Sequence, residues 1–199
     1  MYSKGTRVRA RILLAILVLI LTPLAPSWAA PNWILENTSR LGFIATQGGA
    51  PVEGLFTSFK ATITFDANDL AGSIVAVEID IASVDSKSKD RDDAIRGPGL
   101  FDAAQWPTAT FKAAKFRQTT KDWFEAEGTL TMRGVTMPAV LPFTLKVAPH
   151  PSDKTQLQAR AEGRLTVQRL DYGIGQGPWK DTSIVGNDVI IFLDLVAKQ

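Results

Sequence analysis

Apolar residues occupy every second position through most of this chain, a spacing that suits strands with one buried face and little else. Leu41, Phe43 and Ala45 alternate with Gly42, Ile44 and Thr46, and Phe59, Ala61, Ile63 and Phe65 with Lys60, Thr62 and Thr64. Val75, Val77, Ile79 and Ile81 alternate with Ala76, Glu78, Asp80 and Ala82. Phe124, Ala126, Gly128, Leu130 and Met132 oppose Glu125, Glu127, Thr129 and Thr131. Leu141, Phe143, Leu145 and Val147 oppose Pro142, Thr144 and Lys146, and Ala159, Ala161, Gly163, Leu165 and Val167 oppose Arg160, Glu162, Arg164 and Thr166. The last run, Val189 to Val196, is apolar on both faces except at Asp194.

Turn-forming residues separate the runs: Asp66-Ala67-Asn68-Asp69, Arg133-Gly134 at hairpin spacing, Pro149 to Asp153, and Gly173 to Pro178. Neighbouring strands joined by short turns predict an antiparallel up-and-down meander. Closing it into a barrel would remove exposed edges. One segment differs. Ser86 to Ile95 is polar and predicts a short helix, Gly97-Pro98-Gly99 breaks it, and Leu100 to Ala104 predicts a second helical turn. Both pieces are expected to lie across one end of the barrel.

The first 29 residues read as a secretory signal peptide. Lys4, Arg7, Arg9 and Arg11 form a basic start, Ile12 to Leu21 an apolar run, and Ser27-Trp28-Ala29 a cleavage site. The rival reading, an uncleaved anchor, would need an apolar run of roughly 20 residues. Residues 30–199 then form one domain of 170 residues, large enough for a sizeable core. Without the leader's four cations the domain has 18 Lys and Arg against 20 Asp and Glu. That balance excludes the basic footprint of a nucleic-acid binder. The chain has no cysteine, so it has neither disulfides nor a thiolate nucleophile.

Several short pieces follow one another in order along the chain: Trp33 with Ser39-Arg40-Leu41-Gly42-Phe43, Val52 to Phe56 with Phe59 and Ile63-Thr64-Phe65-Asp66, and Ile81 to Asp85. Arg91-Asp92, Phe101-Asp102, Pro107 to Phe111, the Gly128 to Val135 hairpin, Arg169 to Gly173 and Val185 to Val189 come after them. In this order and spacing the chain resembles the YceI-like family of polyisoprenoid-binding proteins. The resemblance implies an all-β fold, an eight-stranded antiparallel lipocalin-like barrel with a short helical segment between the middle strands. It also implies periplasmic location and an isoprenoid or similar long-chain lipid in the lumen. Some family members carry a histidine in the first strand region, where this chain has Thr46-Gln47-Gly48-Gly49.

A barrel of eight strands can be filled by side chains or can hold one slender ligand. The candidate lumen residues are Phe43, Phe56, Phe59, Ile63, Val77, Ile79, Phe101, Phe111, Phe124, Leu130, Leu141, Phe143 and Leu145, with Phe101 and Trp106 as a lid or floor. At the mouth, Arg91, Arg96, Arg169 and Tyr172 are candidates for a polar head group, while Arg133 belongs to its hairpin. His150, between two prolines, is expected in a solvated surface turn. The sequence contains no nucleophile elbow, phosphate loop or zinc-type cluster. Asp90, Asp92 and Asp93 lack the rest of a calcium loop.

The expected function is therefore non-covalent binding and carriage or sequestration of a long-chain amphiphile by a monomer or homodimer in transient contact with a membrane surface. No cofactor, metal or nucleic-acid partner is expected, and no catalytic residue. Two rivals follow from the residues. One is an enzyme using a buried acid, with Glu78, Asp80 and Asp194 as candidates. The other is a partner-binding module with a filled barrel and an apolar outer patch.

Overall fold

The computed structural model describes residues 30–199; the leader assigned above lies outside the described residues. Eleven strand segments form one sheet. They are β1 (Asn32–Leu35), β2 (Arg40–Gln47), β3 (Ala50–Phe56), β4 (Phe59–Thr64), β5 (Ile74–Asp80), β6 (Val84–Asp85), β7 (Thr108–Thr120), β8 (Trp123–Met132), β9 (Val135–Pro149), β10 (Leu157–Gln168) and β11 (Asp188–Lys198). Among the described residues a single α-helix, α1 (Lys89–Arg96), stands between β6 and β7.

The register reduces these eleven segments to eight staves. β1 and β2 both pair with β11, at Ile34↔Lys198 and at Phe43↔Ile191, and so form one interrupted stave. β3 with β4 forms the second stave and β5 with β6 the third, since β3 meets β6 at Phe56↔Val84 and β4 meets β5 at Phe59↔Ile79. β7 to β11 each contribute one more. Every pairing is antiparallel, and β11 against β1 and β2 closes the ring. The meander expected from the alternation is thus a closed eight-stranded barrel.

Serine side chains bridge the interruptions. At the first, Ser39 Oγ donates to the Val196 carbonyl at 2.9 Å and accepts from the Val196 N–H at 3.0 Å. At the second and third, Ser83 Oγ accepts from the Ser58 N–H at 3.1 Å and donates to the Asp80 carbonyl at 2.7 Å. Backbone groups that lose a ladder partner in the sheet thus find a hydroxyl instead.

Alternating chain direction sorts the connections onto two ends. The β2–β3 turn, residues 86–107, the β8–β9 turn and residues 169–187 leave from one end. The 65–73, 121–122 and 150–156 connections leave from the other, beside the start of β1 and the end of β11. At the first end Arg133 (φ 46°) and Gly134 (φ 74°) make the tight hairpin, and the Trp106 ring packs where a Gly134 side chain would stand. The expected second helical turn is instead a series of tight turns. Asp102 takes a left-handed φ of 54°, a geometry that a right-handed helix cannot accommodate. The two long connections are tied together and to the barrel: Gln176 N–H donates to the Gly99 carbonyl at 2.7 Å and Gly186 N–H to Thr46 at 2.8 Å.

The opposite end is plugged by aromatic rings. Phe65 meets Phe116, Phe124 and Phe143 at centroid separations of 5.2, 5.7 and 6.0 Å, all near edge-on, and Phe124 stacks on Phe143 at 5.6 Å.

Candidate functional site

Between the plug and the connections lies a lumen of about 590 Å³, lined by residues from all eight staves. This is within the roughly 300–1,000 Å³ of small-molecule sites. Its wall is apolar over most of its length. The polar lining residues are Gln47, Ser88, Asp90, Arg91 and Arg169, together with the indoles of Trp33 and Trp179. Trp33 Nε1 is already engaged, donating to the Phe65 carbonyl at 2.9 Å. The five polar residues all belong to the end that carries α1, so the cavity is amphipathic along its axis.

Inward parity explains the lining. Phe43, Ile63, Val77, Ile79, Phe111, Leu130, Leu141, Phe143 and Leu145 all face the lumen. Phe56 and Phe101 also line it, their rings 6.5 Å apart, where the connection after α1 folds back over the opening. Phe124 is 3% exposed but belongs to the plug, outside the lining. Phe59 packs at the margin of the core rather than on the lumen. Inward residues of the last two staves, such as Ala159, Ala161, Leu165, Ile191 and Leu193, complete the wall. The same alternation marks them on β10. On β11 it does not, because both of its faces are apolar. Outward Phe192 has the Arg40 guanidinium over its ring at 5.9 Å.

The four mouth candidates separate. Arg91 lines the cavity from α1, its Nε donating to Ser86 Oγ at 2.8 Å and an Nη to the Ser86 carbonyl at 2.6 Å. Arg169 also lines it and is only 3% exposed. Its guanidinium donates to the carbonyls of Gly186, Ile174 and Val185 at 2.9, 2.8 and 2.6 Å. Burial lowers its pKa. Arg96 turns to Asp93 and to the Ala82 and Val84 carbonyls, away from the lumen. Tyr172 is buried off the lumen, and burial, then the nearby Asp171 charge, raise its pKa.

Other residues fall differently from the sequence reading. His150 is not solvated: its side chain is 11% exposed and its Nε2 sits 2.9 Å from Glu36 Oε1. Arg133 belongs to its hairpin, and its guanidinium also reaches the Leu100 carbonyl. The three acids around α1 diverge. Asp90 faces the lumen rim, Asp92 is buried against Ser86, and Asp93 pairs with Lys89 and Arg96. Glu78 is exposed, Asp80 accepts from the Ala82 N–H at 2.9 Å, and Asp194 is held by Arg160 on the outer wall.

Comparison with known proteins agrees with this architecture. Residues 33–197 match the YceI-like domain. A UPF0312 protein of Azotobacter vinelandii is 33% identical over 116 residues, a match spanning 56% of this chain and 60% of that relative. The matched stretch is therefore under two thirds of that protein's length. The crystal structure of Burkholderia cenocepacia BcnA superposes with a TM-score of 0.74 at 31% identity, covering 81% of this chain and 98% of that one. A polyisoprenoid binding domain from Saccharophagus degradans, implicated in plant cell wall breakdown, shares the fold at a TM-score of 0.62 and 16% identity, covering 83% and 96%. With the family match extending from the first stave to the last, this chain belongs to the YceI-like family.

Proposed function

We propose that this protein binds an isoprenoid or other long-chain amphiphile non-covalently, with the tail in the lumen and the head at the end carrying Arg91 and Arg169. The observation that supports this most is the axial polarity of the cavity: an apolar barrel wall over a plugged floor, and polar groups at one end only. Each CH₂ removed from water contributes about 0.8 kcal/mol. A few buried isoprene units therefore outweigh a substantial part of the cost of association. The polyisoprenoid binding described for the Saccharophagus domain on the same fold supports the same reading. Export to the periplasm through a cleaved leader, residues 1–29, rests on the sequence pattern and leaves residues 30–199 as the binding domain. In this reading the protein carries or sequesters its lipid as a monomer or homodimer, makes transient contact with a membrane surface, and uses no catalytic step.

Native mass spectrometry of the exported protein, followed by organic extraction, tests the proposal. The expected result is a co-purifying long-chain species, displaced when Ala161, which faces the lumen, is changed to Trp. A well-folded, empty protein that takes up no added polyprenol or fatty lipid would overturn it.

A further inference from the structure

Eight arginines lie among the described residues. Five have a carboxylate within 4.0 Å: Arg40, Arg96, Arg117, Arg133 and Arg160. Arg164 is exposed on the outer wall, where water solvates it. The remaining two, Arg91 and Arg169, are the two that line the lumen. The only acid in the lining is Asp90, which is exposed at the rim.

Arg169 is the sharper case. A guanidinium has five N–H donors. Three of them meet loop carbonyls, leaving two. Carbonyl dipoles satisfy donors but do not cancel a charge. A buried cation without an anion is costly, and a partner in the low-dielectric interior is worth far more than one in water. The three carbonyls also fix the plane of the group, so it needs no reorganisation to meet a ligand.

We infer that the head site takes an anion, so that the ligand is an acidic amphiphile whose long apolar tail ends in a carboxylate or phosphate that neutralises Arg169, with Arg91 at the same end. The inference rests on the lumen reading proposed above and adds to it the class of head group.

Matched pairs of ligands test it. Hexadecanoate against 1-hexadecanol, and farnesyl phosphate against farnesol, differ only in the head. Each is titrated into the delipidated protein by intrinsic tryptophan fluorescence. The acid of each pair is expected to bind roughly tenfold or more tightly than the alcohol, the scale of a charge-assisted hydrogen bond. The pair with the larger acid-over-alcohol ratio, in which the tail cancels, identifies the head as carboxylate or phosphate. Arg169→Gln and Arg91→Gln should narrow the preference, while Arg169→Lys, which keeps the charge and loses the fork, should retain most of it. If Arg169→Gln does not fold, Arg91→Gln and the wild-type pairs still decide. Equal binding of acid and alcohol by the wild type would overturn this inference and leave the lumen reading standing. Binding of neither class would overturn both.

Discussion

His150 and Glu36, 114 positions apart in sequence, form a half-buried pair that ties the β9–β10 turn to the break between β1 and β2. His150 Nδ1 accepts from the Ser152 and Asp153 N–H groups at 3.3 Å, which places the ring proton on Nε2, facing Glu36 Oε1 at 2.9 Å. Gln158 Nε2 donates to the other carboxylate oxygen at 2.7 Å. The clasp joins the stave that opens the barrel to the hairpin beside the closing strand.

The hydrogen bond from His150 is the largest influence holding the Glu36 carboxyl below its ordinary value of 4.5, with Gln158 assisting. A carboxyl with a lowered folded-state pKa binds fewer protons folded than unfolded. Its contribution is therefore complete above about pH 4.5 and fades as pH falls through the folded value. Thermal unfolding of Glu36→Gln against wild type should show a gap at pH 6–7 that closes towards pH 3. A gap constant with pH would mean that the carboxylate charge plays no part.

Phe65 makes three edge-on contacts in the plug. Phe65→Ala should cost about 3–5 kcal/mol in urea unfolding, the scale for removing a buried ring. Phe65→Leu should recover most of that. The Ala variant should also open the lumen floor and admit a longer tail, read as a shift in the chain length of the extracted lipid.

Gly128 and Gly54 differ in what a side chain would strike. A Cβ at Gly128 would lie 2.0 Å from the Lys112 carbonyl oxygen, beside the bulge in β7, and backbone there has nowhere to move. A Cβ at Gly54 would meet the Phe43 ring at 2.4 Å, and that ring can swing into the lumen. Gly128→Ala should therefore cost about 3 kcal/mol and Gly54→Ala about 1 kcal/mol in chemical denaturation. Only the second should weaken ligand binding, through the displaced Phe43.

Asp92, 8% exposed, accepts from both the N–H and the Oγ of Ser86, at 2.9 and 2.5 Å, and Ser86 Oγ in turn accepts from Arg91. Asp92→Ala should cost about 1–3 kcal/mol by leaving those donors without a partner. Hydrogen exchange should rise across α1 and leave β7 to β11 protected. Uniform loss of protection would show that α1 is not a separable unit.

Much of the barrel was legible because a strand's side-chain period is two, and an interior must be apolar. Nine of the lumen residues on β2, β4, β5, β7, β8 and β9 follow from that parity alone. Parity fails where it carries no contrast. On β11 both faces are apolar, so Val189, Ile191 and Leu193 were indistinguishable from outward Ile190 and Phe192. Phe124 has inward parity yet lies in the plug, because parity states which face a residue takes and not how far along the barrel axis it sits.

The sequence by itself determined the strand class, the meander, the hairpin at Arg133-Gly134 and the apolar interior, since each depends on neighbours a few positions apart. Only the tertiary structure decided which arginine is buried without a counter-ion, that His150 is clasped by Glu36, and that three staves are interrupted and bridged by serine hydroxyls. Those are meetings between residues distant in sequence, and no local period encodes them. They depend on the register at which the barrel closes, and that register is a property of all eight staves together.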